Sequence, residues 1–319
     1  MRHELLILSA LGLSACFPAD LDPGVGVDTD VDTDLGGDTD LGIPPELCDA
    51  LPLPVDGTVV PGFPLNSDFA FDAAGQIVFR DFLELTAFTR DGVEQVILAG
   101  NTYVNALATL PNGHLVAFFP DLPQGYVADV DPATATVTNL VPATHVHGLD
   151  VGTDGRIYVP DGATIASYDP VTGVTTPIAQ DLPLVYDVAL SADESVLYVT
   201  HLREGTIHAL DRLGPDTWDT PRVFWQRPAV PSKLDFGSGP IEVDACDNVY
   251  FAERNYLWRL DPTGLQLESV AVLPGIDTLQ MHWGNGQGGW AADTLYLSLN
   301  GHDAAHYLYE VDVDVPGVP

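Results

Sequence analysis

One pattern of residues recurs along the chain from residue 66 onward and constrains its fold more than any other feature. Each copy has a short apolar strand, a turn with Asp, Asn or Gly, and a second strand rich in aromatic and β-branched residues. The turn residues of the six copies follow one another at steps of 38 to 53 residues: Gly75, Gly113, Gly155, Glu194, Asp247 and Asp293. That period is typical of the four-stranded blades of a β-propeller.

Copy number and composition together predict an all-β fold, a single six-bladed β-propeller over residues 47–319. Thirty glycines and 26 prolines interrupt the chain too often for long helices. After several hairpins a third strand ends in Asp, followed by Pro, Thr or Gly, which is the chemistry of a type I turn. We therefore predict that four aspartates form turns: Asp131, Asp169, Asp211 and Asp261.

Residues 1–15 are predicted to be a signal peptide, because a short apolar stretch follows Arg2 and is too short to span a bilayer. Its end, L-S-A-C, resembles the lipobox of bacterial lipoproteins, which implies cleavage before Cys16 and a lipid on the Cys16 sulfur. The alternative is an ordinary secretory signal with a chance cysteine. We expect an exported protein held in the cell envelope by this lipid, and Phe17 after the cysteine favours the outer membrane.

Residues 16–46 are predicted to be a disordered tether rich in Asp and Thr. From Phe17 to Glu46 there are nine acidic residues and no lysine or arginine, so like charges keep the segment extended. The alternate aspartates Asp28, Asp30 and Asp32 resemble the start of a calcium-binding EF-hand loop. That loop needs glycine at its sixth position and glutamate at its twelfth, where this chain has threonine, and a solvated tether is therefore the preferred interpretation.

Two cysteines remain once Cys16 is assigned to lipid, and we predict that Cys48 and Cys246 form a disulfide. Two leftover cysteines in an oxidising envelope favour pairing over free thiols. A metal pair is the weaker alternative, because no histidine lies within a few residues of either cysteine.

The charge of the chain limits its partners. The formal net charge is −35 and Lys233 is the only lysine, so nothing attracts the phosphates of nucleic acids or anionic lipid headgroups. Nucleic-acid binding is excluded on this ground, and the membrane is expected to be contacted through the lipid alone. We expect a monomer.

The repeats resemble the six-bladed propellers of the gluconolactonase and regucalcin-like family, and more loosely NHL-repeat propellers. The resemblance is carried by V-A-L-S-A-D-E-S-V-L-Y-V-T in the fourth copy and by G-P-I-E-V-D-A-C-D-N-V-Y-F-A, followed by L-W-R-L-D-P, in the fifth. It implies a divalent metal, commonly calcium, held by carboxylate and amide oxygens at the starts of the innermost strands. Those ligand positions fall on Ser67, His147, Tyr186 and Gly239, which do not supply the oxygens that a hard cation needs.

A different site remains possible at the same channel mouth. The start of each first strand and the end of the second strand lie at the same end of an antiparallel pair, which brings two columns of side chains together. The predicted ligand-binding residues are Asp81, Asn105, His147, Asp161, His201 and Glu253; Gln280 or His282 opposite Asn300 would complete the ring. Their imidazole and carboxylate groups would suit a transition metal such as zinc, and the alternative is a solvated polar ring. We predict no required cofactor, with a divalent metal in the central channel as a possibility.

Two functions from different classes follow from these observations. The first is a binding or scaffold module that presents a face to a protein or glycan partner at the cell surface, without catalysis. The second is a metal-dependent hydrolase of lactones or related esters, as the resemblance implies. Loss of the metal-ligand positions favours the first hypothesis.

Overall fold

The computed structural model describes most of the chain after residue 47, and the structural statements below concern that part. The described residues are 48, 53–63, 65, 67–81, 83–100, 103–120, 124–202, 204–227, 239–275, 277–300 and 306–318. The predicted signal peptide, the lipidation site at Cys16 and the predicted tether lie outside them. In the described part no helix is long and apolar enough to cross a membrane.

Six antiparallel sheets form the blades of a β-propeller, which confirms the predicted fold. Blade 1 consists of β2 (Phe69–Phe71), β3 (Ile77–Asp81), β4 (Glu84–Phe88) and β5 (Glu94–Leu98). Blade 2 consists of β6 (Ala106–Thr109), β7 (Leu115–Phe119), β8 (Gly125–Asp131) and β9 (Thr136–Ala143). Blade 3 consists of β10 (Asp150–Val151), β11 (Ile157–Asp161), β12 (Thr164–Asp169) and β13 (Val174–Ala179).

The remaining blades follow the same order, with one addition. Blade 4 consists of β14 (Val185–Leu190), β15 (Val196–His201), β16 (Thr206–Gly214), β17 (Thr217–Trp218) and β18 (Arg222–Gln226), the last two both pairing with β16. Blade 5 consists of β19 (Ile241–Val243), β20 (Val249–Glu253), β21 (Tyr256–Leu260) and β22 (Leu267–Val272). Blade 6 consists of β23 (Asp277–Trp283), β24 (Thr294–Asn300), β25 (His306–Asp312) and β1 (Thr58–Val60).

The ring is closed by strands from both ends of the domain. Strand β1 pairs with β25, so that Thr58 lies opposite Glu310 and Val60 opposite Leu308. An early segment of the chain therefore supplies the outermost strand of the last blade. This pairing ties the segment that leads into the first blade to the sixth blade.

Apolar side chains between neighbouring blades form the core. Phe251 on β20 is fully buried in a cluster that also holds Ala189 and Tyr198 of blade 4. Burying one such aromatic side chain is worth about 1.5–3 kcal/mol. Because a central strand packs against blades on both faces, consecutive residues along it are apolar, as the sequence L-V-A-F-F of β7 illustrates.

The turn between the first two strands of a blade requires a left-handed backbone. Gly75, Gly113 and Gly155 have φ of 74°, 85° and 81°, and Glu194 and Asp247 take the same position with φ of 56° and 62°. Five of the six predicted turn residues thus share one structural position, which glycine adopts without strain. The prediction that Asp293 takes the same position is wrong, because it directly precedes β24 and is not among the residues with positive φ.

Three of the four predicted turn-forming aspartates do form turns. Asp131, Asp169 and Asp261 each accept hydrogen bonds from backbone N–H groups two to five residues later. The prediction for Asp211 is wrong, because β16 continues through it to Gly214 and its carboxylate binds the Arg222 guanidinium on β18 at 3.1 Å. The longer strand accommodates the additional outer hairpin of blade 4.

The predicted disulfide is confirmed. Cys48 and Cys246 are bonded, with their Cα atoms 5.6 Å apart and a sequence separation of 198 residues. Cys246 lies in the turn between β19 and β20, where its N–H donates to Asp244 Oδ1. The bond therefore fastens the segment that precedes β1 to blade 5.

Candidate functional site

The structure places the second-strand members of the predicted site in separate local contacts. Asp161 accepts hydrogen bonds from the N–H groups of Thr144 and His145, at 3.0 and 2.7 Å. Glu253 forms an ion pair with Arg227. Both carboxylates thus stabilise loops at the ends of their blades.

His201 and Asp81, the other two members of that column, also have local partners. His201 Nε2 lies 2.7 Å from His208 Nδ1, and the other ring nitrogen lies 3.2 Å from the carbonyl oxygen of Pro183. Burial, together with His208, lowers the pKa of His201 to about 4. Asp81 is the last residue of β3 and pairs with Glu84.

The first-strand residues at this end contact neighbouring blades, and Tyr186 bonds across the channel. The Asn105 amide donates to the Val146 carbonyl at 3.0 Å, and the His147 ring stacks on Tyr186 with centroids 5.3 Å apart. The Tyr186 hydroxyl then donates to the carbonyl of Leu279 in blade 6 at 2.6 Å. This end of the channel therefore contains the chain's own side chains, which link blades 2, 3, 4 and 6.

Two of the predicted strand pairings differ from the structure. A β-bulge in β14 places His201 opposite Val185 and not opposite Tyr186. Asn300 lies opposite Asp277, whereas the sequence suggested Gln280 or His282. A bulge inserts one residue into a strand and shifts all later pairs, which a fixed residue offset does not anticipate.

At the positions where the resembled family binds its metal, the residues of this chain do not fit a hard cation. The Tyr186 hydroxyl donates to a carbonyl, and the Ser67 hydroxyl donates to the carbonyl of its neighbour Asp68. Within the described ranges, no group of three or more His, Cys, Asp or Glu side chains is arranged to hold a metal ion. We derive no reaction step through a metal here.

Four carboxylates on the innermost strands, or just before them, lie in the channel, and we call them the channel carboxylates: Asp68, Asp150, Asp187 and Glu242. Three of them accept a backbone N–H from the next blade. Asp68 Oδ2 accepts from Leu107 at 2.6 Å, Asp150 Oδ2 from Leu190 at 2.7 Å, and Asp187 Oδ2 from Ile241 at 3.3 Å. These bonds connect blade 1 to blade 2, blade 3 to blade 4 and blade 4 to blade 5.

His282 joins two of the channel carboxylates. Its Nε2 lies 2.9 Å from Asp68 Oδ1, and its Nδ1 lies 2.8 Å from Glu242 Oε1. When both carboxylates are ionised, both ring nitrogens donate to their oxygens and the ring is an imidazolium. Although burial lowers the pKa of His282, the two carboxylates outweigh it and hold the pKa well above its usual value.

Burial changes the titration of the channel carboxylates. It raises the pKa of Asp150 to about 7, with a further contribution from the Glu242 carboxylate. Burial also raises the pKa of Glu242, where His282 opposes it, and the pKa of Asp187, where Asp68 adds to it. A carboxyl with a pKa near 7 inside a protein is a candidate acid, base or charge-sensing group.

A cavity of about 580 Å³ lies at the end of the channel where the first strands turn into the second strands. We call it the turn-end cavity. Its wall includes turn residues of several blades, such as Asp72, Pro111 and Thr153, together with Trp283 and Val318 near the C-terminus. The predicted site residues come from the opposite ends of these strands.

Six positions on the first strands, one from each blade, line this cavity. In blade order they are Ala70, Ala108, Asp150, Ala189, Glu242 and His282. Two channel carboxylates and the imidazolium thus face the same space as three small apolar side chains. Concave, largely apolar pockets with a few polar groups are the usual form of ligand sites.

The sequence contains a signal for the channel carboxylates that the pattern analysis missed. Each is a single acidic residue next to apolar residues in the first strand of a repeat, as in S-D-F-A, L-D-V, Y-D-V and I-E-V, and His282 occurs likewise in M-H-W. An isolated charge in an apolar strand must find a partner when it is buried. The sequence-based prediction considered residues at strand ends, whereas these residues lie within or beside the first strands.

Comparison with known proteins supports the fold assignment alone. By sequence, no family model and no curated protein matches the chain. Its structure is similar to a gluconolactonase from Xanthomonas campestris, with a TM-score of 0.64 and 18% identity, over 82% of this chain and 89% of that one. It is also similar to the calcium-binding protein regucalcin from Agrobacterium tumefaciens, with a TM-score of 0.65 and 17% identity, over 83% and 96% of the two chains.

A third similar structure is a binding protein. An auxiliary nutrient binding protein from Bacteroides thetaiotaomicron matches with a TM-score of 0.60 and 10% identity, over 81% of this chain and 70% of that one. The protein is therefore a six-bladed β-propeller whose structural neighbours include the gluconolactonase and regucalcin family. Since the same fold occurs in enzymes and in binding proteins, function must be argued from the site.

Proposed function

We propose that this protein is a binding module of the cell envelope, held there by a lipid on Cys16, that recognises a protein or glycan partner through the turn-end cavity. In this proposal residues 1–15 are the signal peptide, residues 16–46 the tether and residues 47–319 the propeller. The tether lets the propeller reach partners away from the outer membrane.

The observation that carries this proposal is the contact of Tyr186 with Leu279. In the family that the repeats resemble, metal-dependent lactone hydrolysis takes place at the end of the channel where the first strands start. Here the Tyr186 hydroxyl is bonded across that end and His147 is stacked against it. The space that a metal and a lactone would share is used for packing between blades.

The turn-end cavity provides a binding surface in its place. Its volume of about 580 Å³ is that of a small-molecule pocket. The hydrogen bonds of Asp68 and Asp150 to neighbouring blades fix the inner strands that line it. A rigid, preformed cavity loses little conformational entropy when it binds.

Two measurements on the purified propeller separate binding from hydrolysis. We expect no hydrolysis of lactones above the buffer rate with added calcium, manganese or zinc, and we expect specific retention of particular glycans on a glycan array or of a partner from the same envelope. The matched variant is Ala108→Leu, which narrows the cavity and should weaken retention. Metal-dependent lactone turnover that survives Ala108→Leu but falls in a Tyr186 variant would instead establish the hydrolase.

The anchor is tested separately. Cells that express the full chain are labelled with a fatty-acid analogue, and we expect label on the wild-type protein but not on Cys16→Ala. The Cys16→Ala protein should appear in the soluble fraction. Label that persists on this variant contradicts the lipobox interpretation.

A further inference from the structure

The ring of first-strand side chains around the turn-end cavity has two different halves. Blades 1, 2 and 4 contribute alanine, and Ala108 keeps part of its surface open to the cavity. Blades 3, 5 and 6 contribute Asp150, Glu242 and His282. A ligand that fills this space must therefore combine an apolar body with a polar or charged group.

The sign of that charge follows from the ionisable groups in the wall. No lysine or arginine lines the cavity in the described part of the chain, and His282 is its single cationic side chain. That charge is already matched, because the imidazolium is bonded to both Asp68 and Glu242. An anion in the cavity would therefore face excess negative charge.

The other two acidic groups of the wall are committed to the fold. Asp72 Oδ1 accepts the N–H groups of Ala74 and Gln76 in its own turn. Glu194 accepts hydrogen bonds from Thr153 and lies 3.3 Å from the Arg212 guanidinium. Asp72 is thus held within its own turn, and Glu194 is paired with a cation.

Asp150 has no directly bonded cation, although the His282 charge acts on it from a distance and opposes the larger effect of burial on its pKa. Its Oδ1 accepts the N–H of Val151 and its Oδ2 that of Leu190, both at 2.7 Å, and neither donor is a cation. A carboxylate has about four acceptor positions, so half of them remain for a ligand. The Glu242 carboxylate is close enough to raise the pKa of Asp150 further, and the two acids therefore repel each other.

We infer that the turn-end cavity binds a primary ammonium group on a compact apolar or sugar body, with the ammonium at Asp150 and Glu242 and the body against the alanine half. An ammonium group has three N–H donors and can serve both carboxylates at once. This inference rests on the proposed function, because it specifies what the cavity of the binding module selects.

Proton release provides a check that needs no variant. Since Asp150 has a pKa of about 7, a cation beside it favours the carboxylate form. Since about half of the Asp150 carboxyls are protonated at pH 7, binding of an amine should release up to about half a proton. Its affinity should rise about tenfold between pH 6 and pH 8, because the ionised fraction of Asp150 rises about tenfold.

The experiment compares ligands that share a phenyl or a glucose body and carry an ammonium, a neutral or a carboxylate group, by isothermal titration calorimetry with the propeller. The probes are 2-phenylethylammonium, 2-phenylethanol and phenylacetate, and, as the sugar pair, glucosamine and N-acetylglucosamine. We expect the ammonium member of a set to bind at least tenfold more tightly than its neutral partner, and phenylacetate to bind most weakly. Selectivity in the aromatic set alone indicates a free amine as the ligand, and selectivity in the sugar pair indicates an amino sugar.

Three variants locate the binding. Asp150→Asn should weaken the ammonium probe at least fivefold and remove its pH dependence, with little effect on 2-phenylethanol. Asp169→Asn makes the same charge change at an exposed turn and should alter nothing, which controls for the net charge of the chain. Ala108→Leu narrows the cavity and should weaken the binding of every probe.

Several results overturn the inference. Equal affinity for 2-phenylethanol and 2-phenylethylammonium, preference for phenylacetate, or an equal loss in Asp169→Asn each refutes selection of a cation. If the neutral probes bind as tightly as the ammonium probes and Ala108→Leu weakens their binding, the cavity remains the binding site. The cation inference alone then fails. The cation inference alone also fails if the wild-type protein binds no ammonium probe detectably but retains a glycan or protein partner.

Discussion

Replacing Asp150 by asparagine should change how the stability of the propeller depends on pH. In the folded protein this carboxyl has a pKa of about 7, against 3.8 for an unperturbed aspartate. Between these two values the folded state binds a proton that the unfolded state has lost. The wild-type protein therefore loses stability as pH rises through this window.

The magnitude follows from the two pKa values. One pKa unit corresponds to about 1.36 kcal/mol, so the Asp150 contribution falls by about 3 kcal/mol between pH 4.5 and pH 8. Asparagine lacks this titration, but it replaces one of the two oxygens that accept N–H groups from Val151 and Leu190. That loss costs about 1–3 kcal/mol at every pH.

The expected result is a crossing of two stability curves. At pH 4.5 Asp150→Asn should be less stable than wild type, and near pH 8 the difference should vanish or change sign. Denaturant unfolding at four pH values between 4.5 and 8, with the disulfide intact, measures this difference. Asp169→Asn is the control, because its exposed carboxyl has a lowered pKa and should give a constant difference over this range.

A difference between wild type and Asp150→Asn that stays constant from pH 4.5 to pH 8 would refute the reasoning. It would mean that Asp150 is well hydrated in the folded protein and does not share a low-dielectric site with Glu242. The proton release expected on amine binding would then also be absent.

Two further changes test the packing of the propeller. Replacing Cys48 and Cys246 by serine should lower the free energy of unfolding by about 4–5 kcal/mol, because the disulfide closes a loop of roughly 200 residues, and denaturant unfolding of the oxidised wild type and the double variant measures it. Gly148→Ala should destabilise by about 1–3 kcal/mol, since the added Cβ would lie 1.9 Å from Asp187 Oδ1, and thermal unfolding measures it. Gly214→Ala, where nothing lies closer than 4.0 Å, is its control, and an equal effect of both alanines would contradict the close approach in the channel.

The sequence by itself determined the fold class, the six blades and the disulfide. The reason is local: turn residues such as Gly75 and Glu194 recur at blade spacing, and a hairpin needs only nearby residues to specify it. The two cysteines were paired by elimination, and the structure joins them across 198 residues.

Tertiary structure alone decided where charged side chains meet. Asp68 and His282 are separated by 214 residues, and only closure of the ring brings them to 2.9 Å. The partner of a strand-end side chain, Arg227 for Glu253 and the Leu279 carbonyl for Tyr186, depends on neighbouring blades and on a bulge that the repeat does not encode. A repeat specifies each blade, whereas the channel depends on the differences between blades, and those differences act only after the six are assembled.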